Sequence, residues 1–241
     1  PNMGSTAPVS PLGALAMGDA EVISAMVLIQ LAYPGAPVFH AIFTSLMNPR
    51  TGAYISKTPT LIYMMAKQLA HAWKVPSLGG ARVSGDAPEL GWQSGYEVGL
   101  GAGMIALAGG EICGLMGLVG GATTLYPEEV ILDHEGCLYV YEMLHDKRFE
   151  ELDPALDVIR EVGPRGHFLA QRHTRENVQR FRLSPLLGGK TTDGEWRDPR
   201  QIALEEFKHI AATHHPRPLP DEVLAELDRI LAAAEREAEK I

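Results

Sequence analysis

Five side chains in the first hundred residues carry candidate chemistry: His40, Arg50, Tyr54, Tyr96 and Glu97. His40 interrupts an otherwise apolar run, VFHAIF at residues 38–43. In a barrel wall, alternate side chains point inward and the outward ones must be apolar to meet helices. A lone polar residue then faces inside, with Val38 and Ile42 on the same side. The competing reading is a hydrogen-bonded core histidine, and the two stand level. Arg50 lies in the loop beyond that run and reads as an anion clamp or as a surface cation. Tyr54 on the same loop is placed to close over a ligand. Gln93 and Glu97 are i and i+4, hence on one helix face beside Tyr96. Glu97 there would meet a cationic ligand; on composition alone an exposed helix carboxylate is the readier reading.

Other motifs carry less. Gly99, Gly101 and Gly103 do not follow a strand signal and lie inside a helical pattern, so they read as close-packing residues rather than a phosphate loop. There is no Walker sequence and no G-x-S-x-G elbow. His214 and His215 precede Pro216 in a polar stretch and read as a solvated turn. Cys113 and Cys137, 24 apart, offer no zinc pattern and no disulfide framework, which points to a reducing cytoplasm. No metal site is expected.

The elements that must position these groups alternate. Residues 11–32 have apolar side chains at helical spacing, stopped by Pro34-Gly35. The short apolar run 38–43 has turn residues on both sides and reads as a buried parallel strand. A long loop, 44–58, follows. Thr58 as N-cap and Pro59 at N1 then open a helix reaching about Trp73. Further strands are expected at 75–81 and 111–117, with helices over 90–108 and 127–145 and a first strand near 2–5. This strand–loop–helix order means βαβ units and a parallel sheet. Only about four such units fit before residue 148, whereas a whole (β/α)8 barrel takes roughly 250 residues. The count leaves an open four- or five-stranded sheet or half a barrel.

Beyond residue 149 the pattern turns helical. Helices flank a Gly163-Pro164-Arg165-Gly166 turn, residues 184–200 read as loop, and 221–241 form an amphipathic helix with Asp221 as N-cap. Two regions are expected: 1–148, carrying the βα units, and 149–241, a mainly helical extension.

Composition sets bounds. The 241 residues carry 21 Lys plus Arg against 30 Asp plus Glu, for a net charge of -9, with 46% hydrophobic residues. That is globular composition. The negative balance argues against nucleic-acid binding, which needs clustered cations, and against an anionic membrane surface. The apolar stretch 22–49 is broken by Tyr33-Pro34-Gly35-Ala36-Pro37, so no membrane span is expected. The chain opens on Pro1 in loop-like sequence, which suggests that a segment precedes it.

Several segments together resemble one family. LAYPGAPVFHAIF, MNPRTGAY, QSGYE and above all ALDVIREVGPRGHFLAQRHT are similar to the trimethylamine methyltransferase family, which includes glycine betaine and related corrinoid-dependent enzymes. The likeness runs from Met3 to about Pro185. It implies a TIM (β/α)8-barrel fold of α/β class, with this chain covering the C-terminal half plus a helical extension. It also implies a cytoplasmic enzyme of one-carbon metabolism or methanogenesis, moving a methyl group from a small quaternary or tertiary amine to the cobalt of a partner corrinoid protein. No tightly bound cofactor is implied, because the partner supplies the corrinoid. Aromatic faces and carboxylates suit the ammonium, and Arg or His suits the carboxylate of a betaine. The implied substrate set is His40, Arg50, Tyr54, Tyr96 and Glu97; His167 and His173 would face the corrinoid, unless they only shape the segment, with Thr174 capping the helix after them. The archaeal trimethylamine members carry pyrrolysine and this sequence has none, which favours a betaine. Two acids common in the family are replaced, by Gly91 and by Gly120. A homo-oligomer, or pairing with a missing N-terminal half, is expected. The rival expectation is a non-catalytic relative that completes a barrel with a second chain.

Overall fold

Helix α1, Pro11–Ala32, begins where Ser10 accepts a hydrogen bond from the Gly13 amide and Pro11 presets the first turn. It ends at Tyr33, ahead of Pro34 and of Gly35 at φ 84°. A short strand β1, Asn2–Met3, precedes it. The structure, a computed structural model, describes residues 1–55, 60–82, 85–145, 154–178, 184, 186 and 194–238. The expected cap at Thr58 and Pro59 lies outside them. Helix α2, Thr60–Ala72, follows where the spacing places it.

The strands are shorter than expected and one is displaced. Strand β2 is Ser45–Met47, not 38–43, and pairs in parallel with β1. It also pairs antiparallel with β3, Tyr54–Ile55, so the expected long loop contains a hairpin. The run 38–43 meets its neighbour through one parallel bridge, His40 to Ser77. There the His40 amide donates to Pro76 at 2.8 Å and the Leu78 amide to His40 at 2.9 Å. Strand β4, Leu78–Gly80, pairs in parallel with β5, Ile112–Gly114. Helix α3, Trp92–Leu107, lies between them in sequence. After β5 comes a second hairpin, β6 at Leu118–Val119 and β7 at Thr124–Leu125, then helix α4, Pro127–Leu144. The result is a mixed α/β fold with small sheets. Both strand pairs formed across a helix, β1–β2 and β4–β5, are parallel, and both antiparallel pairs are local hairpins. Among the described residues no barrel closes.

Helices cover one face of these strands. Met3, Ala14, Leu15, Ile42, Ile62 and Ala66 form a buried cluster between β1, α1, the 38–43 run and α2. Gly79 in β4 has no room for a side chain: an added Cβ would stand 2.7 Å from Ile105 of α3 and 3.1 Å from the Lys67 ammonium of α2. On the opposite face, an added Cβ at Gly80 would meet Leu115 and Phe43. Period-two alternation thus sorts side chains between the helix layer and an open face.

α1 is long and apolar enough to cross a membrane by length and composition. Its first half nevertheless belongs to the buried cluster, and Asp19 within it takes part in a hydrogen bond described below. Val27, Leu28 and Leu31 in its second half are exposed.

Residues 1–207 form one compact unit and 208–241 another. The first also holds α5, Leu156–Val162, and α6, Arg172–Asn177, on either side of the expected glycine–proline turn. Of the expected loop 184–200, residues 185 and 187–193 lie outside the described residues. Helix α7, Pro199–Thr213, follows it and has no counterpart in the sequence reading. Helix α8 is Asp221–Ala238; its first helical bond runs from Leu224 to the Pro220 carbonyl, so Pro220 holds the cap position expected of Asp221. Its apolar stripe, Val223, Leu224, Leu227, Ile230 and Leu231, is exposed.

Candidate functional site

The loops after β4 and β5 and the first turns of α3 and α4 converge on Arg82. Arg82 follows β4 by two residues, and its side chain is 4% exposed. One guanidinium nitrogen donates to the Ser94 carbonyl at 2.9 Å and to its hydroxyl at 3.0 Å. The other donates to Glu129 and, at 2.7 Å, to Asp133. Glu97 stands 4.0 Å from Arg82 and accepts from Gln93 at 2.9 Å. Ser94 donates to Glu129. Asp133 accepts the Gly117 amide at 2.8 Å, which ties α4 to the loop after β5. Gly117 sits at φ 80°, and a side chain there would run into Val130 and the Tyr126 carbonyl, so only glycine fits.

Three buried carboxylates, Glu97, Glu129 and Asp133, therefore surround one guanidinium. Burial pushes the Glu129 carboxyl up, the Asp133 charge adds to this, and Arg82 only partly offsets them. Burial also raises Asp133, against the Gly117 amide and Arg82. Glu129 lies in the first turn of α4, where the helix dipole favours an anion. Among the described residues Glu129 and Asp133 share the single guanidinium of Arg82 while burial raises both, so this pair suits a proton or an added positive charge.

A cavity of about 100 Å³ opens above Arg82. Phe43, Tyr54 and Tyr63 give it aromatic walls, and Thr44, Gly80, Gly85, Leu115, Leu118 and Ala122 complete the lining. Leu115 and Ala122 have φ of 59° and 64°, a conformation uncommon outside glycine. Such strain persists only where surrounding structure over-determines it, and both residues face this cavity. Trp92 and Tyr96 stack with ring centroids 5.6 Å apart on the outside of α3.

The sequence-based candidates separate on this geometry. Tyr54 lines the cavity. Glu97 is 2% exposed and belongs to the Arg82 cluster, which overturns its reading as an exposed helix carboxylate. Tyr96, its neighbour, is exposed and does not line the cavity. Arg50 is exposed at the tip of the β2–β3 hairpin, where its amide bonds Asn48. His40 is a correction. It is 1% exposed, but its ring pairs with Asp19 of α1 at 2.8 Å, so it faces the helix layer and not the open face. Trp73 donates to the same Asp19 at 3.1 Å. Ile42 shares that side, as alternation requires, so the face was assigned in reverse. Phe43, one residue on, reaches the cavity instead. His40 therefore leaves the candidate set as a satisfied core histidine.

His167 is exposed after the Gly163 turn, and His173 is half-buried in α6 with its carbonyl accepting from Asn177 at 2.7 Å. Neither lines the cavity. Gln171 caps α6, whereas Thr174, the expected cap, donates to the Phe168 carbonyl at 2.8 Å.

Sequence reasoning missed Arg82, Ser94, Glu129, Asp133 and Tyr63. The signal for two of them was present: Glu129 and Asp133 are i and i+4 after a proline-opened helix start, a carboxylate pair on one face. Among the described residues no three His, Cys, Asp or Glu side chains gather to hold a metal.

The trimethylamine methyltransferase family profile matches residues 2–239. The glycine betaine methyltransferase of Desulfitobacterium hafniense strain Y51 is 30% identical over 97% of this chain and 50% of its own length. A trimethylamine methyltransferase, MttB, of Desulfitobacterium hafniense strain DSM 10664 / DCB-2 is 27% identical, over 97% of this chain and 48% of itself. Its counterpart in Methanosarcina barkeri is 26% identical over the same shares. The chain spans about half the length of these relatives.

Proposed function

Because this chain belongs to the trimethylamine methyltransferase family, we propose that it supplies the C-terminal half of a TIM-barrel enzyme. That enzyme moves a methyl group from a small methylated amine to the cobalt of a separate corrinoid protein. The observation that carries this reading is the aromatic cavity seated on an acid-rich cluster. Phe43, Tyr54 and Tyr63 offer π faces to a methylated ammonium, and Glu97, Glu129 and Asp133 supply the compensating negative potential. As the C–N bond breaks, its electron pair stays on nitrogen, so a quaternary nitrogen leaves as a neutral amine. Holding the ammonium in a dry cavity aligns its methyl carbon for attack and excludes competing water.

In this reading the cobalt is the acceptor and arrives on the corrinoid protein; this chain holds no cofactor tightly. A betaine-like substrate is preferred over trimethylamine. Its ammonium meets the aromatic walls, while the Nε–H of Arg82, which also lines the cavity and is the guanidinium donor left without a partner among the described residues, is open to its carboxylate. The two free cysteines accord with a cytoplasmic setting.

A second reading has its own support. Among the described residues of the first unit, Val27, Leu28 and Leu31 of α1 and Trp92 and Tyr96 of α3 are exposed. Apolar surface of this kind favours cover by other protein, either an N-terminal half or further copies. A non-catalytic relative that completes a barrel with a second chain would leave the same surface.

One assay separates the two. The chain is produced alone and with an N-terminal barrel half, then given glycine betaine or trimethylamine and reduced cobalamin, with methylation followed by absorbance. Turnover of the betaine by the completed protein is the expected result. A folded, completed protein that demethylates no amine would leave only the structural role.

A further inference from the structure

The two cysteines lie outside the Arg82 cluster, on the helix-covered side. Cys113 is in β5 and Cys137 in α4, and their sulfurs stand 3.7 Å apart. Both thiols line an apolar cavity of about 550 Å³ with Ala102, Ile105, Tyr141 and Leu144. The space is large enough to admit a small neutral oxidant to either sulfur. We propose that Cys113 and Cys137 are a peroxide-sensitive dithiol that closes to an intramolecular disulfide joining β5 to α4.

The geometry asks for little movement. A disulfide needs sulfurs at about 2.05 Å, so the pair must close by roughly 1.7 Å, within reach of small side-chain rotations on two elements already in contact. The surroundings favour one sulfur as nucleophile. Either sulfur can donate across this contact; with Cys137 as the donor, the hydrogen bond lowers Cys113 against the opposing effects of burial and of the Asp133 charge, and the Lys67 ammonium lowers it further. The same hydrogen bond, with burial, pushes Cys137 up. Lys67 reaches this place from α2 and is 1% exposed, with its ammonium on the Leu78 carbonyl. Burial holds it down to about 8, against the Glu111 and Cys113 charges.

The chemistry balances as two steps. The Cys113 thiolate attacks one oxygen of hydrogen peroxide, the O–O bond breaks, and hydroxide leaves to take a proton as water. Cys113 is then a sulfenic acid. The Cys137 sulfur attacks that sulfur and displaces its oxygen, which leaves with the Cys137 proton as a second water. Two thiols lose two electrons and one peroxide gains them. A dithiol reductant reverses the bond.

The test uses the full chain with stoichiometric hydrogen peroxide, thiol counting after denaturation and intact mass. The expected product has no free thiol, is lighter by two hydrogens, yields one linked peptide bearing Cys113 and Cys137, and melts several degrees higher until dithiothreitol restores it. Cys137→Ser should stop at a Cys113 sulfenic acid that dimedone traps, with no rise in melting temperature. Wild type that gains oxygens without losing two hydrogens, or that links chain to chain, would overturn the proposal. So would a Cys113→Ser variant whose remaining thiol reacts as fast as wild type.

Discussion

Two acid sites stand at opposite ends of the β4–β5 pair, and they are built on opposite principles. Before the strands, Glu111 accepts the Ser77 amide and hydroxyl, each at 2.8 Å, and His71 of α2 at 2.8 Å. One carboxylate meets three donors. After the strands, Arg82 is one cation among Glu97, Glu129 and Asp133. Partial burial pushes Glu111 up, but its hydrogen bonds from Ser77 and His71 outweigh this and hold it at about 2. Glu129 and Asp133 are raised, burial first. The lower site is a clip whose electrostatics are settled within the chain. Among the described residues the upper one sets two raised carboxylates, Glu129 and Asp133, on one guanidinium beside an aromatic cavity, which is how a site differs from a brace.

The pH signs follow and are opposite. Glu111 is depressed, so its contribution is present above its ordinary value of 4.5 and is lost as pH falls toward about 2. Glu129 and Asp133 are raised, so theirs is present below the ordinary carboxylate range and is lost as pH rises through their raised values.

The largest effect should come from Arg82→Met. It leaves Glu129 and Asp133 buried without the guanidinium they share, at a cost of about 3–5 kcal/mol. Urea titrations of wild type and variant should show the gap widening from pH 5 to pH 8, as Glu129 and Asp133 are asked to ionise unaided. A gap that stays constant with pH would mean that Arg82 is worth only its packing.

Next in size, Tyr54→Leu removes one aromatic wall of the cavity while leaving the Arg82 cluster intact. Calorimetry with glycine betaine on the completed protein should show affinity falling about tenfold, near 1.4 kcal/mol. Glu111→Gln, at the other end of the strands, should leave that affinity unchanged. Equal losses from both would erase the distinction between site and brace.

How much of this could be read from sequence depends on the kind of signal. The helices α1, α2, α3 and α4 were legible because apolar spacing, Pro11, Pro34 and Pro127 mark them locally. The parallel order followed from their alternation with short apolar runs. The displacement of β2 from 38–43 to Ser45–Met47 was not legible, because one side of the apolar run, His40 and Ile42, is buried against the helices without needing a full ladder. His40 was assigned to the wrong face for the same reason: period two fixes which residues share a side, not which side the helices cover. Arg82 was hidden because a lone arginine in a loop acquires meaning only when α3 and α4 bring Ser94, Glu129 and Asp133 to it. The quoted family motif QSGYE did contain Ser94 and Glu97, and there the resemblance marked the site better than periodicity did.

Glu111→Gln itself should cost about 1 kcal/mol at pH 7, a charged hydrogen-bond value reduced because Glu111 is nearly half exposed. The difference between wild type and variant should shrink as pH falls toward the wild-type value of about 2. Both gaps therefore grow with pH but in separate windows, the Glu111 series between about 2 and 4.5 and the Arg82 series above the ordinary carboxylate range; measured together, the two series are the sharpest check on the distinction between the sites.

The smallest effect belongs to His71→Asn. The substitution removes the third donor to Glu111, but Ser77 still provides two, one of them a backbone amide that no side-chain change can delete. His71 and Glu111 are 43% and 45% exposed, so water replaces the lost bond and salt screens the pair. Stability should fall by about 0.5 kcal/mol or less, with the loss diminishing in high salt. A loss above that of Glu111→Gln is impossible if His71 acts only through this carboxylate. Such a result would place His71 in a separate packing role against Gly109, whose added Cβ would stand 3.2 Å from its ring. The Gly109→Ala variant then decides: φ is 77° there, so the strain alone is destabilising in either background, and only an excess penalty that vanishes with His71→Asn reports that contact.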